Sequence, residues 1–162
     1  MTDATRNAWK RQAAMAALLC VSACSTEVDL PALGIHYAPP SGVKVTSENA
    51  GPPVVVQFSG GLEIRRGQGT LPALDAEKLA PLLALALEKT GLPALATPPV
   101  DARAGTCPLG PVARYETRGS NRKIFYVVPQ GTTFLVLVFT PETSDGKADA
   151  AFERSLGTLR AL

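Results

Sequence analysis

The chain has 162 residues, of which 46% are hydrophobic, 19% charged and 6% aromatic. That suits one globular domain rather than a multidomain enzyme, since domains run to roughly 100–200 residues, and it excludes a wholly disordered chain. The net charge of +2 resides in the first 23 residues (Arg6, Lys10 and Arg11 against Asp3); beyond them 13 cationic side chains face 13 acidic ones, so no global field attracts nucleic acid.

The first element is a leader over residues 1–23. Lys10 and Arg11 close a basic start, Ala13 to Val21 form an apolar run, and Ser22-Ala23 supply small residues before Cys24. A bilayer-spanning helix needs about 20 apolar residues, so this run is too short for a permanent span and fits a secretory signal peptide. A buried N-terminal helix is the competing reading, and two cations before the run with a polar Ser-Thr-Glu after it argue against that.

The segment Val21-Ser22-Ala23-Cys24 resembles the lipobox of bacterial lipoproteins. In that family the cysteine becomes the first mature residue and carries acyl chains on its sulfur and its amine. The resemblance implies lipidation at Cys24 and attachment to a membrane through those chains. Cys20 fits less well, because bulky Leu19 precedes it. Each buried CH₂ contributes about 0.8 kcal/mol, and more than one chain makes a stable anchor. Ser25 follows the cysteine, which within this family favours the outer membrane, facing the periplasm. Residues 24–34 then read as the lipidated N-terminus and a tether, and 35–162 as a single domain. Once Cys20 leaves with the leader and Cys24 is acylated, Cys107 remains a lone thiol with no intramolecular disulfide. It reads as a small half-buried residue in a turn-like stretch or, alternatively, as a reactive thiol; no neighbouring His or Lys lowers its pKa.

Strand patterns open the domain. Ile35-His36-Tyr37 stops at Pro39-Pro40, Val43 to Thr46 alternates, and Val54 to Phe58 and Leu62 to Arg65 flank a Ser59-Gly60-Gly61 turn as an antiparallel pair. Leu79, Leu82, Leu83, Ala86 and Leu87 then share one helical face, with Asp75 as N-cap, Gly91 as the stop and Pro81 predicting an irregular first turn. Residues 92–111, rich in Pro, Ala and Gly, read as one long loop.

A meander follows, with strands over 112–117, 123–128 and 133–139. Phe134 to Phe139 is apolar on both faces, the mark of a central strand covered on both sides; burying it contributes on the order of 10 kcal/mol before entropy. Ala148, Phe152, Leu156, Leu159 and Leu162 give a C-terminal helix that Ser144 or Asp145 can cap. The order of elements indicates an α+β architecture, antiparallel sheet with one mid-chain and one C-terminal helix.

That order resembles the PsbP-like fold, which also occurs in DcrB-like periplasmic lipoproteins. The resemblance rests on Tyr37-Ala38-Pro39-Pro40-Ser41-Gly42-Val43 and on the succession of elements from Lys123 to Leu162. Val43 stands where the family often has Trp. The resemblance implies a PsbP-like sandwich and a non-catalytic binding or assembly role towards another envelope protein.

The sequence is sparse in reactive chemistry. His36 is the single histidine, which argues against an ordinary zinc site or a His-dependent triad, and no cofactor is expected. Gly67-Gln68-Gly69 lacks the Lys-Ser/Thr of a phosphate loop and reads as a turn. Asp145 and Asp149 suit helix capping, and Glu116 suits a cross-strand charge partner. Arg114, Arg118, Arg122 and Lys123 cluster around Gly119, and Arg65 and Arg66 join them if the strands adjoin. They read either as a docking edge for an acidic partner, lipid headgroup or glycan, or as a solvated hairpin end protecting an edge strand. The leading expectation is a non-catalytic, membrane-anchored envelope protein; the alternative is a small hydrolase or ligand-binding protein with 92–111 as a lid.

Overall fold

A computed structural model describes residues 26–119, 122–143 and 146–162. The leader, Cys24, Ser144 and Asp145 lie outside the described residues. In chain order the elements are β1 (Val28–Leu30), β2 (Ile35–Tyr37), β3 (Val45–Asn49), β4 (Val54–Phe58), β5 (Leu62–Gln68), α1 (Leu79–Lys89), β6 (Asp101–Cys107), β7 (Gly110–Glu116), β8 (Ile124–Gln130), β9 (Thr133–Phe139), α2 (Lys147–Leu156) and β10 (Arg160–Ala161). The described residues form an α+β fold with a seven-stranded sheet, order β3-β4-β5-β9-β8-β7-β6, and a three-stranded sheet, order β1-β2-β10.

β9 is the middle strand of the large sheet, as its two apolar faces predict. Strand side chains alternate between faces. Phe134, Val136 and Val138 join one core with Leu79, Leu82, Leu83, Ala86 and Leu87 of α1; Leu135, Leu137 and Phe139 join the other with Phe152 and Leu156 of α2 and Ile35 and Tyr37 of β2. The sheet is therefore covered by α1 on one face and by α2 with the small sheet on the other. On the second face the Phe152 ring lies 4.7 Å from Phe139 and 5.5 Å from Tyr126, centroid to centroid.

α1 follows its pattern, whereas α2 ends at Leu156, short of the predicted Leu159 and Leu162, because the chain turns at Gly157 into β10. A 3-10 turn over Ala76–Lys78, opened by Asp75 accepting from the Glu77 amide, leads into α1. Pro81 sits in the first turn, where an amide N–H has no intrahelical partner to lose. Gly146 precedes α2 at φ 73°, and Leu159 is fully buried beyond its end while Leu162 is 55% exposed.

Residues 28–34, read from the sequence as part of a tether, are folded into the domain. Val28–Leu30 is a strand paired antiparallel with β2, and Leu30 and Leu33 are buried in the core. The C-terminus closes over the same element: the Ala38 amide donates to Thr158 Oγ1 at 2.9 Å, and the Leu162 amide donates to the Gly34 carbonyl at 3.1 Å. The long loop is shorter than predicted, because its second half is β6, paired along its whole length with β7. The 92–111 loop, a lid only in the alternative reading, therefore keeps just its first half as irregular chain. Gly67 is not in a turn; it is a β5 residue opposite Phe134 of β9.

Candidate functional site

β6 and β7 make a hairpin whose ends, Cys107 and Gly110, are joined by Pro108-Leu109, with Gly110 at φ 123° completing the turn. β6 pairs only with β7, so it is an edge of the large sheet, and Ala102 to Thr106 are exposed. Alternate backbone N–H and C=O groups of such a strand are free to pair with another chain. Beside this edge, between the hairpin and α2, lies a cleft of about 470 Å³. Val112, Tyr126 and Leu156 supply apolar surface, and Arg103, Cys107 and Arg154 line it nearer solvent.

The cleft floor is organised by Arg114. Only 10% of its side chain is exposed, and it meets three carboxylates: Asp101 at 2.8 Å, Glu116 at 2.9 Å and Glu153 at 2.9 Å. The register explains the convergence. Arg114 stands opposite Arg103, and Asp101 opposite Glu116, so two like-charged cross-strand pairs sit side by side. Each pair alone is repulsive, and diagonal contact between them is attractive. Glu153 from α2 completes the arrangement, 3.7 Å from Arg103. The Tyr126 hydroxyl accepts from Arg114 Nε at 3.2 Å and donates to Glu153 Oε1 at 3.1 Å. Glu116 also pairs with Arg122 at 2.7 Å, and Arg122 reaches Asp149 of α2 at 2.7 Å.

These contacts set the titration of the cluster. Burial works against the Arg114 charge, and Glu116, Tyr126 and Glu153 outweigh it, so its pKa is raised. Burial works against the Glu116 carboxylate as well, yet the hydrogen bonds from Arg122 and Arg114 hold it below the usual range. The bonds to Asp149 and Glu116 raise Arg122. Burial and then the nearby Glu153 charge push the Tyr126 phenol up to about 12.

The four cationic residues singled out in the sequence do not form one basic edge. Arg114 and Arg122 face α2 and are matched by acids. Arg118 and Lys123 line a separate cleft of about 220 Å³ with Leu92, Pro93, Leu95 and Phe125, and Phe125 belongs to the α1 face. Of the β5 pair, Arg65 does come together with Lys123, the two lining one cleft of about 420 Å³; it pairs with Glu63 and donates to the Thr90 carbonyl at 2.9 Å at the end of α1, while Arg66 approaches Gly34. Glu116 is an ion-pair partner, but of Arg114 on its own strand and of Arg122 just before β8 rather than of a residue directly opposite, where Asp101 and Ile124 stand; Asp149 is an ion-pair partner in the first turn of α2.

Cys107 is half-buried at the end of β6; burial raises its thiol pKa, which leaves it protonated and weakly nucleophilic at neutral pH. His36 lies in the small sheet, its Nδ1 2.6 Å from Asp29 Oδ1 on the paired strand, and does not line the cleft. Among the described residues no group of His, Cys, Asp and Glu side chains is arranged to hold a metal ion. What the arrangement offers chemically is an unpaired backbone edge beside a half-apolar cleft whose ion cluster already matches three arginines with four carboxylates. Sequence reasoning missed β6, whose Ala, Gly and Thr residues carry no apolar alternation; the Pro108-Leu109-Gly110 turn before an apolar strand was the available signal. No protein-family model matches the chain, and no curated protein matches it.

Proposed function

We propose that the chain is a non-catalytic envelope lipoprotein, anchored through acyl chains on Cys24, that binds or helps assemble another envelope protein by receiving one of its segments along β6. The observation that carries this reading is the open β6 edge beside the 470 Å³ cleft. An incoming strand would pair with the β6 backbone and send alternate side chains towards Val112, Tyr126 and Leu156. The Arg114 cluster supports it by fixing the β6–β7 hairpin to α2, so the edge is rigid before a partner arrives and less ordering entropy opposes binding.

The element order, with a very apolar strand followed by a C-terminal helix, fits a PsbP-like domain, the group whose members mostly bind or assemble rather than catalyse. Ser25 after Cys24 favours the periplasmic face of the outer membrane as the site of action.

A photo-crosslinking residue at Ala104 in cells tests the binding role. One discrete adduct with a second envelope protein is expected from Ala104 and not from Thr132, in the β8–β9 turn away from the β6 edge. Recovery of uncrosslinked monomer alone contradicts it. Metabolic labelling with a fatty acid, in the wild type and in Cys24→Ser, tests the anchor separately.

A further inference from the structure

The described chain begins at Thr26, two residues after Cys24. Two peptide units span at most about 7 Å between Cα atoms. The surface around Thr26 is therefore held close to whatever Cys24 is attached to. Thr26 and Val28 line a cleft of about 270 Å³ whose other wall runs through Pro39, Pro40, Val43 and Val45. Val45 is 40% exposed, one of the few large apolar side chains open to solvent among the described residues. Lys44 lies between the two valines, and no acidic side chain lines this cleft.

Pro39, Pro40 and Ser41 also wall a second cleft of about 280 Å³, on whose lining lies Arg154. The turn from half-buried Pro40 to exposed Ser41 and Gly42 is thus a ridge with one cation on either side. It is held in place from both ends: the Ala38 amide is bound by Thr158, and the Val43 amide donates to the Pro40 carbonyl at 3.0 Å. Gly42, at φ 82°, completes the turn, and nothing lies within 4 Å of where its side chain would project.

We propose that this face is a docking surface for the bilayer itself. The Pro40–Gly42 turn and Val45 enter the headgroup layer, and Lys44 and Arg154 meet the phosphates of anionic phospholipid. The inference rests on the reading of Cys24 as the acylated residue, and it adds an orientation that acylation alone leaves free. The β4–β5 and β5–β9 registers put Val45, Phe58, Leu62 and Phe139 at one end of the large sheet and Gln68, Thr132 and Thr133 at the other. A strand the length of β9 spans roughly 20 Å, so one end of the sheet lies at the lipid and the other well clear of it. An anionic surface strengthens binding about fivefold for each adjacent cation.

The test uses the mature acylated protein with Cys107→Ser, reconstituted in vesicles of phosphatidylethanolamine and phosphatidylglycerol at 3:1, one part of the lipid bearing a headgroup nitroxide. A fluorophore is placed at Val45→Cys or, in a second preparation, at Thr132→Cys. Flotation with the vesicles reads the anchor, and quenching reads the orientation. Quenching at Val45 at least threefold stronger than at Thr132 is expected, with Lys44→Glu together with Arg154→Glu lowering that ratio at least twofold while flotation is unchanged. Equal quenching at the two positions in protein that floats overturns the orientation and leaves the anchor standing. Protein that fails to float overturns the anchor, and the orientation with it.

Discussion

The ring of Phe134 fills the space that a side chain at Gly67 would need. The two residues are direct cross-strand partners in β5 and β9, and a Cβ at Gly67 would overlap the ring at Cζ. Phe134 is fully buried against α1, so the ring cannot swing out to solvent. Gly67→Ala is therefore an overpacking substitution in the middle of the fold, expected to cost about 3 kcal/mol. The urea midpoint measures it. Adding Phe134→Leu to Gly67→Ala is expected to cost less than the sum of the two single changes, because the smaller side chain vacates the contested volume. Additive losses would show that the ring is not what the glycine accommodates.

Arg114 is the member of the ion cluster whose removal leaves most behind. Arg114→Met removes a cation that lies within 2.9 Å of each of Asp101, Glu116 and Glu153, leaving Glu116 to Arg122 and the other two to the more distant Arg103. Breaking a fully buried pair costs about 3–5 kcal/mol; here Asp101 and Glu153 keep 44% and 39% of their side-chain surface in water, so about 2–3 kcal/mol is expected from chemical denaturation at pH 7. Arg114→Lys recovers only part of it, since one ammonium cannot replace a planar fork with three separate acceptors.

The same cluster gives a pH dependence with a defined sign. Glu116 has its pKa lowered in the folded state, its burial outweighed by Arg122 and Arg114. A depressed carboxylate stabilises the fold above its ordinary value of 4.5 and loses that contribution as the pH falls through the lower folded value. Wild-type stability should thus decline below about pH 4. In Arg114→Met, Glu116 loses one of the two cations that hold its pKa down, so less stability is lost on acidification and the gap between variant and wild type narrows over the same range. A gap that stays constant from pH 7 to 3 would place the cost of the substitution in packing rather than in charge.

Much of the fold was legible in the sequence, and the reasons are local. The five apolar positions of α1 and the two-faced strand β9 carry periodicities that only one burial pattern satisfies, and all are buried as expected. β6 was illegible because an exposed edge strand needs no apolar face; Ala102, Ala104 and Gly105 are held by the β7 ladder and not by a core. β1 was misread for the opposite reason: three residues are too few to display alternation, and Leu30 and Leu33 gain their burial from β2 and the C-terminal segment. The charge cluster was half legible. Arg114 and Glu116 stand two apart on one strand face, but Asp101 and Glu153 reach them through a hairpin register and a helix docking that no local pattern encodes.

Cys107 should react slowly for a cysteine near a surface. Burial raises its pKa, and the backbone hydrogen bonds from Leu109 and Gly110 only partly offset that. In a Cys20→Ser, Cys24→Ser chain, the native thiol is expected to react with a disulfide reagent at pH 8 roughly tenfold more slowly than the same thiol in denaturant, since the thiolate attacks. A native rate equal to the denatured one would mean an exposed, ordinary thiol. A faster one would mean an activated thiol, and would revive the enzyme reading.

The three tyrosines provide a spectroscopic test of the whole core. Tyr37, Tyr115 and Tyr126 are all buried, and burial is the largest cause of the upward shift at each. Each hydroxyl is also tied to another element: Tyr37 to Ser155 Oγ at 2.7 Å, Tyr115 to the Leu79 carbonyl at 2.6 Å, Tyr126 to Arg114 and Glu153. A phenol whose folded pKa is raised stabilises the fold fully below the unfolded value of 10.0 and loses that contribution as the pH climbs through the folded value, about 12 for Tyr126. Phenolate absorbance of the native protein should therefore stay flat through pH 10 to 11 and rise together with the loss of far-ultraviolet circular dichroism. In denaturant all three should titrate near 10. A native titration step near pH 10 amounting to one tyrosine would identify a hydroxyl that reaches water, and Tyr115→Phe and Tyr126→Phe would tell which one. If Tyr126 is that residue, the ion cluster is wetter than its geometry indicates, and the cost of Arg114→Met should fall below 2 kcal/mol, towards the value of about 1 kcal/mol or less typical of exposed pairs.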